Sequence, residues 1–207
     1  METDLGKLRL NNYHQDLKTG EVSNNGHSLK LSPPPGSSAP SMSGAGLQDK
    51  YIFAQFHLHW GNTSSEGSEH TVNGESYPLE LHLVHYNSKY PDIGESLQHE
   101  DGLAVLGILF TLSSSDNPGL QPLIESVTSV KQAKNKTKLS KSLSLKSLLP
   151  DDLDTFYRYF GSLTTPTCNE IVTWTLLHQM MPVSEMQLRQ LRSLKDSMNY
   201  NLGNNYR

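Results

Sequence analysis

The sequence predicts a mainly β fold of the α+β class, in one domain with a few helices. Three observations predict it. Residues 51–60 alternate between two faces, which is the period of a half-buried strand. Residues 103–112 form a continuous apolar run, which is typical of a strand buried on both faces. Only two segments carry apolar residues at helical spacing, and a length of 207 residues suits a single core.

Two of the predicted strands are expected to pair in antiparallel fashion. In residues 51–60 the odd-numbered positions share one face and the even-numbered positions share the other. In residues 80–85 the even-numbered positions likewise share a face. Between them, Asn73-Gly74-Glu75 has the composition of a tight turn. The two strands are therefore predicted to be neighbours in one sheet.

The remaining segments complete the predicted order of elements. Residues 33–50 are rich in Pro, Gly and Ser and predict a surface loop. Asn117-Pro118 predicts the start of a helix, and residues 171–177 predict another strand. The segment 184–187 has the pattern of a capping box and predicts a second helix.

Composition excludes several functional classes. The formal charge of −4 gives no reason to expect a nucleic acid partner. No apolar run is long enough to span a bilayer, and the N-terminal residues lack the pattern of a signal peptide. Nine histidines against a single cysteine favour imidazole over thiolate as a metal ligand.

Three histidines in the paired strands predict a metal site. His57 and His59 lie on one face of a strand, roughly 6–7 Å apart along it, and His82 is placed to join them from the neighbouring strand. Gln55 and Glu80 each precede a histidine by two residues on the same face. Such groups fix the ring orientation of ligand histidines, whereas a buried Glu80 has no role in an ordinary core. The pattern predicts a catalytic zinc site, with three histidines and an open fourth position.

A group that orients the attacking oxygen is also expected near the metal. A hydroxyl that donates its proton to a buried carboxylate can only accept a hydrogen bond from the attacking oxygen. It thereby orients a lone pair of that oxygen toward the substrate. The sequence offers two candidate segments, Ser68-Glu69-His70 and Ser162-Leu163-Thr164-Thr165-Pro166. The residues alone do not decide between them.

At this point the chain resembles a known family, the animal α-class carbonic anhydrases, over nearly its whole length. Several blocks match in the right order, which makes the resemblance highly specific. The matching blocks are residues 24–28 (NNGHS), 55–61 (QFHLHWG), 67–71 (GSEHT), 80–85 (ELHLVH), 102–107 (GLAVLG), 161–166 (GSLTTP) and 172–174 (VTW). The resemblance implies a large, mostly antiparallel central sheet with peripheral helices.

The resemblance also implies the roles of individual residues. His57, His59 and His82 would be ligands of a Zn²⁺ cofactor, and Thr164 would hold the zinc-bound hydroxide with Glu69 accepting its proton. A backbone carbonyl near Asn205, together with two side chains, would support the ligands. His27 would be the proton shuttle, since the unperturbed pKa of an imidazole, about 6.5, suits that task. The supporting side chains would be Gln55 and Glu80, while His70 and His85 would be structural.

The implied reaction is the reversible hydration of carbon dioxide to bicarbonate and a proton. Sulfonamide-type inhibitors are implied as further small-molecule partners, and the oligomeric state is left open. Alternatives are a catalytically weak or inactive binding domain of the same family and an unstable truncated isoform. The residues expected to contact the substrate are Val84, Val105, Leu163, Thr164, Thr165 and Trp174.

Compared with the family pattern, residues 1–207 are expected to form a single domain that is incomplete at both termini. Residues 47–61 look most like the secreted and membrane-bound branch. In that branch a cysteine at the position of Cys168 pairs with one in the N-terminal segment, and this chain has no second cysteine. Asn62 and Asn135 begin acceptor triplets for N-glycosylation. An extracellular or cell-surface glycoprotein is therefore expected, with a cytoplasmic location as the alternative.

Overall fold

The computed structural model describes residues 4–34, 39–203 and 205. Within these residues the chain forms eleven strands and three short α-helices. The strands are β1 (Leu8–Asn11), β2 (Glu21–Asn24), β3 (Leu29–Ser32), β4 (Ser41–Gly44), β5 (Leu47–Trp60), β6 (Leu79–Asn87), β7 (Leu103–Ser113), β8 (Lys136–Lys138), β9 (Phe156–Gly161), β10 (Val172–Leu177) and β11 (Met181–Ser184). The helices are α1 (Ile93–Ser96), α2 (Gln121–Ser126) and α3 (Glu185–Arg192), and Val127–Val130 and Leu145–Leu148 are 3₁₀ turns.

All the described strands belong to one sheet, which confirms the predicted fold class. The main path runs β8-β2-β3-β5-β6-β7-β10-β9; off this path, β4 pairs with β1 and β5, and β11 pairs with β7. Most pairs are antiparallel, and β7 makes parallel pairs with β10 and β11. None of the described helices is long and apolar enough to cross a bilayer.

The central register positions the histidine strands as predicted. In the antiparallel pair of β5 and β6, His57 lies opposite His82 and His59 lies opposite Glu80. The connection between these strands is long, from Trp60 to Leu79, and Asn73 and Gly74, both with positive φ, form a tight turn within it. On β6 the leucines enter the main core, while Glu80 and His82 face the other side. Gly107 of β7 lies opposite His82, and a Cβ there would be 3.6 Å from Oε1 of Glu80.

The predicted alternation of residues 51–60 is wrong at one point, because a β-bulge interrupts the strand. The register of β5 against β6 shifts between Phe53 and Gln55. Tyr51 and Phe53 therefore join Phe56 in the main core instead of sharing a face with the histidines. A bulge inserts one extra residue and reverses which side chains face the core beyond it. Unbroken alternation in the sequence gave no sign of it.

The predicted surface loop at residues 33–50 is wrong for most of its described part. Ser41–Gly44 forms β4 and Leu47 begins β5, so the segment is a hairpin at one side of the sheet. Its turn residues, Gly44, Ala45 and Gly46, all have positive φ, which explains the glycine content. Residues 35–38 lie outside the described residues.

The remaining elements deviate little from the prediction. The first predicted helix begins at Gln121, because Pro118 and its neighbours form a turn before it. The capping box of α3 is confirmed: the Ser184 hydroxyl accepts from the backbone N–H of Gln187, whose side chain returns the contact. The predicted strands at residues 103–112 and 171–177 are confirmed as β7 and β10.

Candidate metal centre

The structure brings the three predicted histidines together. One ring nitrogen from each of His57, His59 and His82 lies within 4.8 Å of the other two. The ring centroids are 5.0 Å apart for His57 and His59, 5.3 Å for His57 and His82, and 4.6 Å for His59 and His82. Alternation along β5 and its pairing with β6 produce this arrangement.

In each ring, one of the two nitrogens is held by a neighbouring group. Nδ1 of His57 lies 3.0 Å from Oε1 of Gln55, and Nδ1 of His59 lies 2.7 Å from the carbonyl oxygen of Asn205. Nε2 of His82 lies 2.6 Å from Oε1 of Glu80. The nitrogens that remain to bind a metal are Nε2 of His57, Nε2 of His59 and Nδ1 of His82. The predicted supporting groups are thus in contact with the histidines.

The unsatisfied polar atoms of the site fit a metal ion. Among the described residues, Nε2 of His59 and Oε2 of Glu69 are buried without a hydrogen-bond partner. These two atoms lie 3.4 Å apart. Buried polar atoms without partners cost free energy and call for an explanation such as an ion. Three neutral imidazoles around one point are a donor set that suits Zn²⁺.

The electrostatics of the site keep the histidines in the form that binds metal. Burial lowers the pKa of His57 well below its ordinary value, and the charges of His82 and His59 act in the same direction. Burial, and then the charge of His82, lower the pKa of His59 to about 3. Both rings are therefore neutral at pH 7, which leaves a lone pair for coordination.

Glu80 is a fully buried carboxylate surrounded by donors. Its Oε2 accepts from the backbone N–H groups of Glu69 and His70, both at 2.8 Å. Its Oε1 accepts from the rings of His70, at 2.5 Å, and His82. Burial raises the pKa of Glu80, but the charge of His82 and the hydrogen bonds from both rings outweigh it and lower the pKa overall. Glu80 is therefore ionised and orients His82.

Glu69 and Thr164 meet beside the histidines, although they come from distant segments. The Thr164 hydroxyl hydrogen-bonds to the Glu69 carboxylate. Burial raises the pKa of Glu69, while the charge of His82 and the bond from Thr164 partly offset this. Of the two candidate segments for an orienting hydroxyl, the structure thus combines the carboxylate of one with the hydroxyl of the other.

The predicted apolar residues gather on the same side of the sheet as the histidines. Val84, Val105 and Trp174 belong to a small buried cluster separate from the main core, and Leu163 packs against it. The ring centroids of Trp174 and His82 are 4.7 Å apart, and the indole N–H of Trp174 donates to the carbonyl of Ser162. This apolar cluster therefore borders the metal centre.

Two further predicted site residues, His27 and Thr165, are exposed, whereas His85, expected to be structural, is buried. His27 is exposed in the turn between β2 and β3, where the Asn25 side chain accepts from its backbone N–H at 2.9 Å. Strand β3 is next to β5, with Lys30 opposite His57. Thr165 is exposed at the loop that carries Thr164. His85 lies in the core and contacts the Tyr13 hydroxyl, as a structural histidine should.

The Tyr159 hydroxyl and the Asn205 side chain were not predicted from the sequence. The Tyr159 hydroxyl lies 2.5 Å from Nε2 of His70. Oδ1 of Asn205 accepts from the backbone N–H of Trp60 at 2.6 Å, and its amide donates to the carbonyl of Leu58 at 3.0 Å. Both contacts join segments far apart in the chain, and no local pattern signals them.

The pKa shifts predict how the stability of the metal-free protein depends on pH. Burial lowers the pKa of His85 to about 4, alongside the lowered pKa values of His57 and His59. The unfolded chain binds protons on these rings below about pH 6.5 and the folded chain does not. The unfolding free energy should therefore fall from pH 7 toward pH 4, by up to about 1.4 kcal/mol per pH unit for each ring.

Urea unfolding of metal-free protein at several pH values measures this slope. The raised pKa of Glu69 acts in the opposite direction, because a carboxyl with a raised pKa favours folding as the pH falls. A free energy of unfolding that stays constant or rises between pH 7 and pH 5 would contradict the assignment of neutral buried rings.

Comparison with known proteins agrees with this site. The model of the eukaryotic-type carbonic anhydrase family matches residues 1–207. The chain is 43% identical to carbonic anhydrase 1 of Mus musculus over 178 residues, which is 86% of this chain and 67% of that protein. It is 39% identical to putative carbonic anhydrase 5 of Caenorhabditis elegans over 205 residues, which is 98% of this chain and 62% of that protein. The chain therefore belongs to the eukaryotic-type carbonic anhydrase family.

Proposed function

We propose that this chain binds one Zn²⁺ ion and catalyses the reversible hydration of carbon dioxide to bicarbonate and a proton. The observation that carries the proposal is the convergence of three uncommitted ring nitrogens, from His57, His59 and His82. In a site of this kind Zn²⁺ lowers the pKa of a coordinated water to about 7, and carbonic anhydrase is itself the established example. The activity remains a proposal for this chain, because it spans about two thirds of the length of the relatives it matches.

The protein groups around the histidines would fix the direction of their lone pairs. Gln55 and the carbonyl of Asn205 each hold Nδ1 of a histidine of β5 and leave its Nε2 for the metal. Glu80 holds Nε2 of His82 and leaves Nδ1. Partners of this kind set the tautomer and raise the basicity of the ligand.

Thr164 would orient the nucleophilic oxygen. Its hydroxyl proton is engaged by Glu69, so its own oxygen can only accept a hydrogen bond from the nucleophile. This directs a lone pair of the nucleophile away from Thr164 and toward the substrate. Thr165, next in the loop, would contact the substrate at the exposed edge of the site.

The apolar cluster would hold carbon dioxide against the nucleophile. The substrate carries no net charge and needs no charged partner to bind. Val84, Val105 and Trp174 present apolar surface beside His82, and Leu163 adds to it from the Thr164 loop. Such a surface binds carbon dioxide weakly and releases the charged product readily.

His27 would carry the product proton to solvent, and its replacement tests this. In His27→Ala we expect kcat to fall by about 100-fold in weakly buffered solution, the lower end of the range for positioned proton transfer. kcat/KM should stay near the wild-type value, because the shuttle acts after the substrate has reacted. Stopped-flow measurement with and without added imidazole checks it, since the free base should restore kcat. His14→Ala, another exposed histidine, is the matched control. A kcat equal to wild type at low buffer would exclude His27 as the shuttle.

The activity itself is tested by stopped-flow hydration of carbon dioxide with the zinc-loaded chain. We expect a rate well above that of buffer, loss of this rate after treatment with a chelator, and recovery when zinc is added back. A folded, zinc-loaded chain that hydrates carbon dioxide no faster than buffer would contradict the proposal.

The location of the chain remains a prediction with two alternatives. Asn62 and Asn135 are both exposed, as glycosylation of an extracellular or cell-surface protein requires. Exposed asparagines suit a cytoplasmic protein equally well.

A further inference from the structure

A chain of hydrogen bonds leads from the metal centre to the edge of the sheet. Nε2 of His82 contacts Oε1 of Glu80, and the same oxygen contacts Nδ1 of His70 at 2.5 Å. Nε2 of His70 then lies 2.5 Å from the Tyr159 hydroxyl. Tyr159 is on β9, the last strand of the main path, and is 43% exposed. The proposed function assigns no role to His70 or Tyr159.

The positions of the protons in this series of hydrogen bonds follow from which atoms donate and which accept. Glu80 is ionised, and its Oε2 accepts two backbone N–H groups, so Oε1 also acts only as an acceptor. The rings of His70 and His82 must therefore both donate to Oε1, through Nδ1 and Nε2 respectively. A neutral His70 that donates through Nδ1 has a lone pair on Nε2, and the Tyr159 hydroxyl is placed to donate to it.

We propose that Tyr159 is a positioning residue of the metal centre, which holds His70 in its Nδ1–H tautomer and thereby keeps Glu80 in place on His82. This inference rests on the proposed zinc site and deepens it. The effect on the metal is indirect, because Tyr159 acts through two intervening side chains. If the hydroxyl is lost, His70 can move its proton to Nε2, and its Nδ1 lone pair then faces the carboxylate. Glu80 would lose one of its two donors on Oε1 and could shift relative to His82.

The surroundings of Tyr159 hold its ring in the position that this role needs. In the β9–β10 register Tyr159 lies opposite Trp174, and the two rings are nearly parallel at 6.2 Å. The His70 ring packs edge-on against the same indole at 4.9 Å. A Cβ on Gly161 would lie 2.8 Å from Cε2 of Tyr159, so the glycine leaves room for the ring. Trp174 thus aligns both partners of the hydrogen bond.

The test is Tyr159→Phe, which removes only the hydroxyl. We expect its zinc dissociation constant, measured by competition with a chelator, to rise by about 3- to 10-fold. Removal of a partner that contacts a ligand directly typically costs about 10- to 100-fold, and Tyr159 is two residues further out. Tyr157→Phe is the matched control, because it removes a hydroxyl from the same strand without touching His70. Its zinc affinity should equal that of wild type.

A second readout reports on His70 itself. Nuclear magnetic resonance of ¹⁵N-histidine in metal-free protein distinguishes the two neutral tautomers. We expect Nδ1–H for His70 in wild type and in Tyr157→Phe, and a growing Nε2–H population in Tyr159→Phe. An Nε2–H or doubly protonated His70 in wild type at pH 7.5 would overturn the inference, whether or not the variants fold. Unchanged zinc affinity and tautomer in a folded Tyr159→Phe would also overturn it.

Failure of this inference can be told apart from failure of the proposed function. If wild type binds zinc and hydrates carbon dioxide but Tyr159→Phe matches it in both readouts, only the role of Tyr159 is wrong. If wild type binds no zinc, the proposed function fails first, and the tautomer of His70 in metal-free protein still decides the positioning role.

Discussion

Replacement of His82 by alanine is expected to abolish zinc retention and carbon dioxide hydration together. His82 supplies one of the three converging nitrogens, and the pair that remains comes from β5 alone. Two imidazoles leave zinc without a ligand on the β6 side, and the Glu80 carboxylate loses one of its donors. We expect zinc affinity to fall by more than about 100-fold. Loss of a residue that only hydrogen-bonds to a ligand already costs up to about 100-fold.

Zinc affinity by chelator competition and hydration by stopped-flow check this result. His99→Ala is the control, because His99 is a partly exposed histidine stacked on Tyr90 and is not among the converging histidines. His82 is buried, so near-ultraviolet circular dichroism should first establish that His82→Ala is folded. A folded His82→Ala that keeps full zinc affinity and full activity would show that His82 is not a ligand.

Replacement of Thr164 by valine is expected to separate metal binding from catalysis. Valine keeps the shape of threonine but cannot hydrogen-bond to Glu69 or accept from the nucleophile. We expect kcat/KM for hydration to fall by about 100-fold or more, as when one preorganised hydrogen bond to a reacting group is removed. Zinc affinity should stay within a few-fold of wild type, because Thr164 is not among the converging ligands.

The control for this second prediction is Thr128→Val, at an exposed threonine outside the site. Parallel measurement of zinc content and kcat/KM distinguishes the possible roles of Thr164. Unchanged kcat/KM would remove Thr164 from the mechanism. A parallel loss of zinc would instead mean that it supports the metal.

The core of the site could be predicted because it depends on local periodicity. His57 and His59 share a face through simple alternation, and His82 lies opposite His57 because β6 pairs in antiparallel fashion with β5. Gln55 and Glu80 follow from the same period of two. The assignment of Thr164 to Glu69 came only from the family resemblance, since the two residues lie on separate loops.

The parts that could not be predicted depend on tertiary pairing. The bulge between Phe53 and Gln55 leaves the alternation of residue types intact while it reverses the buried face. The sequence predicts a loop where β4 and the start of β5 form a hairpin, because the glycines that its turn needs are also common in loops. Tyr159 reaches His70 only because β9 is placed beside β10 at the end of the sheet. Nothing near Tyr159 in the sequence encodes that placement.

The central claim is that three imidazoles converge on one divalent cation, and the zinc content of the folded chain tests it most directly. The purified protein should be saturated with excess zinc, passed through a desalting column and analysed for metal and protein together. The account predicts one zinc per chain, removable by a chelator. A chain with intact tertiary structure that retains no zinc after this treatment would contradict it.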